Sequence, residues 1–271
     1  MPDNRLTPGW PAALAEPTGT RAAKPRAEGL TMVIDKGLGP AAFRDLLETA
    51  GDYIDTIKLG FGTAALYPPS VLKEKIRLSR AAGICLHPGG TFLEAAVRMG
   101  EAENYFETVA AFGFEGVEIS DGTIELAPSL RSQLIRRAAG LGLRVYTEYG
   151  KKAWGSRLAL DELVDTVLTD IEYGAETVTI EGRESGAGVG IYDEHGRCRD
   201  DEIREVIRRV PPSVLLWEAP RKEQQAHLLL LLGNRVNLGN VAPAEAIALE
   251  ALRRGLRSDT MALIPERKTA P

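Results

Sequence analysis

The sequence predicts an α/β protein, namely a single-domain (β/α)8 TIM barrel with a poorly structured N-terminal tail. Eight short apolar runs alternate with longer amphipathic segments, and the runs are nearly continuous in apolar character, as strands buried on both faces should be. From Asp35 near the end of the first run to Asn237 near the end of the last, seven steps cover 202 residues, or about 29 residues per step. Strand–helix units of this size, repeated eight times, are typical of a barrel. An α/β sheet that does not close is the alternative.

The elements can be assigned in chain order. The predicted strands are 31–34, 55–59, 84–87, 116–120, 144–148, 177–181, 214–218 and 235–238. The predicted helices between and after them are 40–50, 69–82, 92–112, 129–141, 160–173, 200–209, 221–232 and 243–254. Proline opens several of these helices and glycine closes most of them, as the preferences at helix ends predict.

The two ends of the chain differ from the barrel in composition. Residues 1–29 contain five prolines and no persistent hydrophobic period, so we expect a tail there, with at most one helical turn near 10–16. The barrel is expected to span residues 30–264, and 265–271 form a C-terminal tail.

Composition excludes several classes of protein. Hydrophobic residues make up 44% and charged residues 26%, as in ordinary globular proteins, and the formal net charge is −5 with no Lys/Arg block. We therefore expect no binding to nucleic acid or membrane surfaces. The two cysteines indicate thiols in a reducing compartment, and neither a spanning segment nor a signal-peptide core is present. A cytoplasmic protein is predicted, and a homo-oligomer is compatible with this composition.

Polar motifs follow all eight predicted strands. In order they are DKGLG, IKLGFGT, HPGGT, EISDG, TEYGKK, IEGRESG, WEAPR and NLGN. Active sites of (β/α)8 barrels are built at the carboxyl ends of the strands, where structural barrels need only short turns. Polar motifs at all eight ends therefore indicate an enzyme acting on a small molecule.

Four glutamates end strands four to seven, namely Glu118, Glu148, Glu181 and Glu218. Carboxylates on buried strands are costly unless they are paired or bound to metal. A cluster of carboxylate oxygens suits Mg²⁺, so these four are the candidate metal ligands. Ion pairing with neighbouring lysine and arginine side chains is the alternative.

Three lysines are candidate acids or bases. Lys58 lies within the second strand, where a solvated side chain is not expected, and Lys151 and Lys152 follow the fifth strand. A lysine in a confined site can transfer protons. We expect one of the adjacent pair to face the site, and rank Lys152 ahead of Lys151. His87, at the end of strand three, is a further candidate.

Two places could bind an anion. Gly89 and Gly90 precede a helix, so their backbone N–H groups and the helix N-terminus could hold a phosphate or a carboxylate. Barrels also bind phosphate in the loops after strands seven and eight, where Arg221 and Asn240 lie.

The chain resembles the phosphosulfolactate synthase family, the enzymes that add sulfite to phosphoenolpyruvate. The resemblance covers about residues 30–263. It rests on IDKGLGP (34–40), GDYIDTIKLGFGT (51–63), HPGGT (87–91), FEGVEISDGT (114–123), TEYGKK (147–152), IEGRESGAGVG (180–190), WEAP (217–220), VNLGNV (236–241) and LEALRRGLRSDT (249–260). Family members often carry an aromatic residue where this chain has His87, and the long N-terminal segment is an addition.

The resemblance implies a Mg²⁺-dependent barrel enzyme that makes (2R)-phospho-3-sulfolactate. Mg²⁺ on the glutamates would stabilise an enediolate, and a lysine would protonate the adjacent carbon. The cationic side chains that would receive the two anionic substrates include Lys36, Arg183 and Arg221. Two alternatives remain at this point, a related lyase with a different nucleophile and a non-enzymatic, stress-associated protein on the same scaffold.

Overall fold

The computed structural model describes residues 9–266, and their eight strands form one parallel sheet. The strands are β1 (Thr31–Asp35), β2 (Thr56–Leu59), β3 (Cys85–Pro88), β4 (Gly116–Ile119), β5 (Arg144–Tyr149), β6 (Ala175–Ile180), β7 (Leu215–Glu218) and β8 (Asn237–Val241). Their order is β3-β2-β1-β8-β7-β6-β5-β4, and β3 and β4 at its two ends lie against each other. The sheet is therefore a nearly closed barrel, which confirms the predicted fold.

One short helix precedes β1, and the other helices of the described residues follow the strands on the outside of this barrel. They are α1 (Ala12–Ala15), α2 (Pro40–Ala50), α3 (Pro69–Ala81), α4 (Gly90–Met99), α5 (Ala102–Phe112), α6 (Pro128–Gly140), α7 (Leu160–Tyr173), α8 (Asp200–Arg209), α9 (Lys222–Leu232) and α10 (Ala246–Arg253). The single helix predicted over 92–112 was wrong. Gly100 adopts φ 75° and its N–H bonds back to Ala96 and Val97, which ends α4 and lets α5 begin two residues later.

Alternation along the strands separates the apolar core from the site. Val33, Ile57, Val117, Val145 and Val178 are fully buried between the sheet and the helices. The residues next to them in sequence point into the barrel instead, because successive strand side chains face opposite sides. This alternation directs Lys58 and the four glutamates at the strand ends to the inside of the barrel mouth. These glutamates are Glu118, Glu148, Glu181 and Glu218.

The segment before β1 packs against the amino ends of the strands. The prediction treated residues 1–29 as a tail, of which 1–8 lie outside the described residues. Arg21 binds the buried Glu250 on α10 with an N···O distance of 3.0 Å. Lys24 Nζ donates to the carbonyls of Gly51, Ile54 and Ala82 at 3.0, 2.7 and 3.1 Å.

The division into a tail, a barrel and a C-terminal tail stays a prediction, and residues 267–271 also lie outside the described part. Within residues 9–266, no helix combines the length and the apolar composition needed to cross a bilayer.

Candidate active site

A cavity of about 610 Å³ opens at the carboxyl ends of the strands. Its lining comes from most of the strand-end loops and includes Ile34, Lys58, Phe61, Gly89, Gly90, Thr91, Glu118, Thr123, Glu148, Lys152, Glu181, Arg183, Glu184, Ser185, Glu218 and Asn240. The four predicted glutamates are all present, together with two of the three predicted lysines. The cavity thus lies where the polar motifs follow the strands.

Lys58 is a buried cation shared by three glutamates. Its Nζ lies 3.1 Å from Glu118 Oε1, 3.0 Å from Glu218 Oε1 and 3.5 Å from Glu148 Oε2. Burial alone would lower the pKa of Lys58, but the three carboxylates together raise that pKa well above its usual value. Lys58 is therefore held as an ammonium group that links β2 with β4, β5 and β7.

Lys152 is the second cation of the cavity. Its Nζ lies between Glu148 Oε1 and Glu181 Oε2 and contacts both. Burial opposes the charge, but the two carboxylates prevail and raise the pKa of Lys152. Lys152 is thus the member of the adjacent pair that faces the acids, and its ammonium form is stabilised there.

Backbone N–H groups occupy the remaining carboxylate oxygens. Gly90 N donates to Glu118 Oε2 at 2.6 Å, and Arg183 N donates to Glu181 Oε1 at 2.6 Å. Glu218 Oε2 accepts from Gly182 N at 2.9 Å and from Arg183 N at 3.1 Å. Each of the eight oxygens of the four glutamates therefore has a donor.

The four glutamates differ in how readily they ionise. Burial raises the pKa of Glu181, as do the nearby charges of Glu148 and Glu218. Burial also raises the pKa of Glu118, which Lys58 only partly offsets. For Glu148 the effect of burial is outweighed by Lys152 and Lys58, so its pKa is lowered. If all four glutamates are counted as ionised, they exceed the two ammonium groups and the Arg183 guanidinium of the cavity by one negative charge.

The carboxylate oxygens of the four glutamates suit a divalent cation, both in their negative charge and in their chemistry. No group of three or more His, Cys, Asp or Glu side chains within residues 9–266 converges as a dedicated metal site would. Mg²⁺, however, is commonly held by one or two carboxylates together with water and substrate oxygens. Glu148 and Glu181, which meet at Lys152, are the carboxylates that could supply such a pair. The alternative of ion pairing is confirmed for Lys58 and Lys152.

His87 and Lys151 lie outside the cavity lining. His87 is fully buried inside the barrel and its ring lies 4.7 Å from that of Tyr146. Burial, with the nearby charge of Lys58, lowers the pKa of His87 to about 3, so the ring is neutral. Lys151 Nζ is turned away and donates to the carbonyls of Asp121 and Ile124 at 2.8 and 3.0 Å. Neither side chain occupies the position of a proton donor in the cavity.

The anion site predicted at the Gly89–Gly90 turn is not formed as expected. Gly89 N donates to Leu59 O at 2.9 Å, and Gly90 N is bound to Glu118. Both N–H groups are already hydrogen-bonded within the protein, because the turn binds the end of β2 and Glu118 on β4. The turn still lines the cavity, but these two groups do not offer free donors to a phosphate.

Arg221 and Lys36 also differ from the prediction. The Arg221 guanidinium donates to the carbonyls of Ser185 and His195 at 2.7 and 3.1 Å, so it fastens the loop after β6 and does not line the cavity. Lys36 is half exposed, and its Nζ pairs with Glu184 at 3.1 Å. Since Lys36 follows β1 and Glu184 follows β6, this ion pair joins two loops at the outer edge of the mouth.

Arg183 and Asn240 are the predicted substrate ligands that remain available. The Arg183 guanidinium has no hydrogen-bond or ion-pair partner among the described residues. Asn240 is 6% exposed, and its Oδ1 is buried without a partner. Three non-glycine residues of the described chain have a positive φ, namely Arg183 at 60°, Asn240 at 54° and Phe61 at 56°. Sparsely populated backbone conformations of this kind cluster at binding sites.

Sequence reasoning missed several residues of the cavity. Phe61 and Thr123 line it, yet both were read only as parts of motifs. Glu94, which lies behind the cavity lining, was missed altogether, although it is 2% exposed and binds the turn after β4. A buried acid on the inner face of a helical pattern was the signal that could have identified Glu94.

Comparison with known proteins identifies a family that the chain matches over most of its length. A family model described as (2R)-phospho-3-sulfolactate synthase (ComA) matches residues 19–259. A phosphosulfolactate synthase from Methanothermobacter thermautotrophicus is 44% identical over 90% of this chain and 95% of its own length. One from Methanocaldococcus jannaschii is 42% identical over 86% of this chain and 93% of its own.

Two further similarities are more distant. The Arabidopsis thaliana protein HEAT-STRESS-ASSOCIATED 32 is 23% identical over 86% of this chain and 88% of its own length. Among solved structures, a 3-hexulose-6-phosphate synthase from Salmonella typhimurium superposes with a TM-score of 0.54 at 14% identity, covering 87% of this chain and 98% of its own. The second similarity shows the barrel fold alone.

Proposed function

The chain belongs to the phosphosulfolactate synthase family of lyase-type enzymes, and we propose that it adds sulfite to phosphoenolpyruvate to give (2R)-phospho-3-sulfolactate. The observation that carries the proposal is the ammonium group of Lys152, held by Glu148 and Glu181 inside the acid-lined cavity. An addition to an enol phosphate needs a proton donor at one fixed place, and no covalent attachment to the enzyme.

The proposed chemistry balances with one proton. The sulfur of sulfite forms a bond to the methylene carbon of phosphoenolpyruvate, and the electron pair of the double bond moves toward the carboxylate. The adjacent carbon, which bears the phosphate ester, then takes a proton from Lys152 Nζ. Delivery from one side sets the configuration at that carbon. The high pKa of Lys152 keeps the donor protonated until the strongly basic carbanion forms.

Both substrates are anions, and the cavity carries a surplus of negative charge. We therefore propose that Mg²⁺, when bound, would be held by Glu148 and Glu181 in place of part of their present contact with Lys152 Nζ, with Glu118 and Glu218 contributing charge nearby. When bound, such an ion would offset the repulsion and stabilise the negative charge that develops on the carboxylate. The Arg183 guanidinium and the Nδ2 amide group of Asn240 supply the protein's own donors to the anions, because neither has a hydrogen-bond partner among the described residues.

The adjacent lysines provide a matched test of this assignment. Phosphorus NMR would follow phosphoenolpyruvate with sulfite and Mg²⁺, using wild type, Lys152→Ala and Lys151→Ala. We expect wild type to form the sulfonate ester and Lys152→Ala to lose at least 100-fold in kcat, as general acids contribute about 10² to 10⁴-fold. Lys151→Ala should keep most of its kcat, since its Nζ binds loop carbonyls.

Other outcomes would contradict specific parts of the proposal. If wild type turns over phosphoenolpyruvate with another nucleophile but not with sulfite, the proposed nucleophile is wrong and the proposed site stands. Loss of turnover in Lys151→Ala with retention in Lys152→Ala would exchange the two roles. Retention of kcat in both variants would refute proton transfer by a lysine.

A further inference from the structure

Glu94 on α4 is a buried carboxylate without a cationic partner. Its side chain is 2% exposed, and it forms no ion pair among the described residues. Oε1 accepts from the hydroxyl of Ser120 and from Gly122 N at 3.1 Å. Oε2 accepts from the hydroxyl of Thr123 and from Thr123 N at 2.8 Å. Four donors from one turn thus replace the solvent that this carboxylate has lost.

The turn that Glu94 binds, residues 120–123, also supports the two lysines. Gly122 O accepts from the backbone N–H of Lys152 at 3.1 Å. A Cβ atom added at Gly122 would lie 3.0 Å from Lys152 Cγ and Nζ, so the stem of the lysine packs directly against this glycine. Asp121 O accepts from Lys151 Nζ at 2.8 Å, which holds the neighbouring lysine out of the cavity.

Helix α4 is fixed to the site at a second point. Its first residue, Gly90, donates to Glu118 Oε2 at 2.6 Å, and an added Cβ there would overlap the Ser120 hydroxyl. The helix is thus bound to a strand-end glutamate by its first turn and to the turn after β4 by Glu94. Any shift of α4 relative to that turn would move Lys152 relative to Glu118.

We propose that Glu94 is a positioning residue for the proton donor, acting through the 120–123 turn on the backbone and stem of Lys152. The inference rests on the proposed function for its kinetic consequence, but the mechanical coupling from Glu94 to Lys152 does not depend on it. Displacement of a reacting group by about 1 Å can cost on the order of 100-fold in rate.

Glu94→Gln is the informative substitution, and Glu250→Gln is its control. All four partners of Glu94 are donors, so the amide NH2 of glutamine must face the backbone N–H of Gly122 or Thr123, which cannot accept. One side of the turn is then released, with no change in side-chain size. Glu250 is equally buried but lies at the opposite end of the barrel, where it binds Arg21 and Arg254.

Amide hydrogen exchange by NMR tests the coupling without any assay of activity. In Glu94→Gln we expect protection to fall at Gly122, Thr123 and Lys152, and in Glu250→Gln to remain at those amides. Loosening of the turn while the Lys152 amide keeps its protection would overturn the proposal. If Glu94→Gln does not fold, Ser120→Ala removes only one of the four donors and should give the same pattern more weakly.

Kinetics then separate positioning from a purely structural role. For Glu94→Gln we expect kcat to fall about 100-fold, with the KM for phosphoenolpyruvate changed less than about threefold because the substrate ligands are untouched. Glu250→Gln should lower the unfolding midpoint and keep kcat. Retention of kcat in Glu94→Gln, with a lowered midpoint only, refutes the proposal. Absence of turnover with sulfite in wild type would refute the proposed function instead, and exchange would still decide the coupling.

Discussion

The neutral, buried His87 makes the stability of the protein depend on pH in a calculable way. An unfolded chain binds a proton at histidine with a pKa of about 6.5, whereas burial and the charge of Lys58 lower the pKa of His87 to about 3 in the folded state. Between these values the unfolded state binds more protons than the folded state. The free energy of unfolding must therefore fall as pH falls below about 6.5.

The size of this effect follows from the two pKa values. Each pH unit in that window is worth about 1.4 kcal/mol per group, so His87 should cost about 2 kcal/mol between pH 8 and pH 5. Below pH 5 carboxylates of ordinary pKa begin to titrate as well, which sets the lower limit of the measurement. The perturbation is His87→Phe, which removes the titration and keeps an aromatic ring against Tyr146.

Urea unfolding of wild type and His87→Phe at several pH values from 8 to 5 is the assay. Other groups contribute equally to both proteins, so the difference between the two stabilities should change by about 2 kcal/mol across the range, in favour of the variant at low pH. His195→Gln removes an imidazole that is two-thirds exposed and serves as the matched control. Parallel curves for wild type and His87→Phe would refute the assignment of a neutral, buried ring.

Three further predictions concern the cavity itself. Lys58→Met leaves three buried carboxylates without their shared cation and should lower the free energy of unfolding by about 3–5 kcal/mol in urea titrations; a loss below about 1 kcal/mol would contradict a buried charge cluster. Chelation with EDTA should abolish turnover of phosphoenolpyruvate and sulfite, and added Mg²⁺ should restore it and raise the unfolding midpoint of wild type but not of Glu181→Gln; an equal rise in both would place the ion elsewhere. Asn240→Gly keeps the positive φ and removes the carboxamide, so stability should change by less than about 1 kcal/mol while steady-state kinetics show a KM for phosphoenolpyruvate raised at least tenfold; an unchanged KM would remove Asn240 from the binding site.

The strands and their polar ends could be predicted because a barrel imposes two simple rules on its sequence. Strands buried on both faces must be apolar for most of their length, and polar side chains are tolerated at their carboxyl ends. Glu118, Glu148 and Glu218 break apolar runs at that point, so the sequence indicated both the strand and its functional end. The same rules indicated that Lys58, within the second predicted strand, is not a solvated side chain.

The fine structure of the site could not be predicted, because it depends on partners distant in sequence. Gly90 is 28 residues from Glu118, which takes its N–H, and Glu94 is a similar distance from the turn that it binds. Likewise, the roles of Lys151 and Lys152 are decided by the carbonyls of a turn about 30 residues earlier. The break at Gly100 is a different case, since a glycine inside a helical pattern either continues the helix or ends it.

The ammonium group of Lys24 binds the amino end of the barrel, opposite the cavity at the carboxyl ends of the strands. It joins three carbonyls from the segments before β2 and β3, and Arg21 and Arg26 anchor the same strap through Glu250 and Asp55. This strap, residues 21–26, could therefore be redesigned for thermostability without loss of turnover, because none of these contacts reaches the four glutamates of the cavity. By the same reasoning, a tag or fusion partner belongs upstream of the strap, and a truncation that removes it should be avoided.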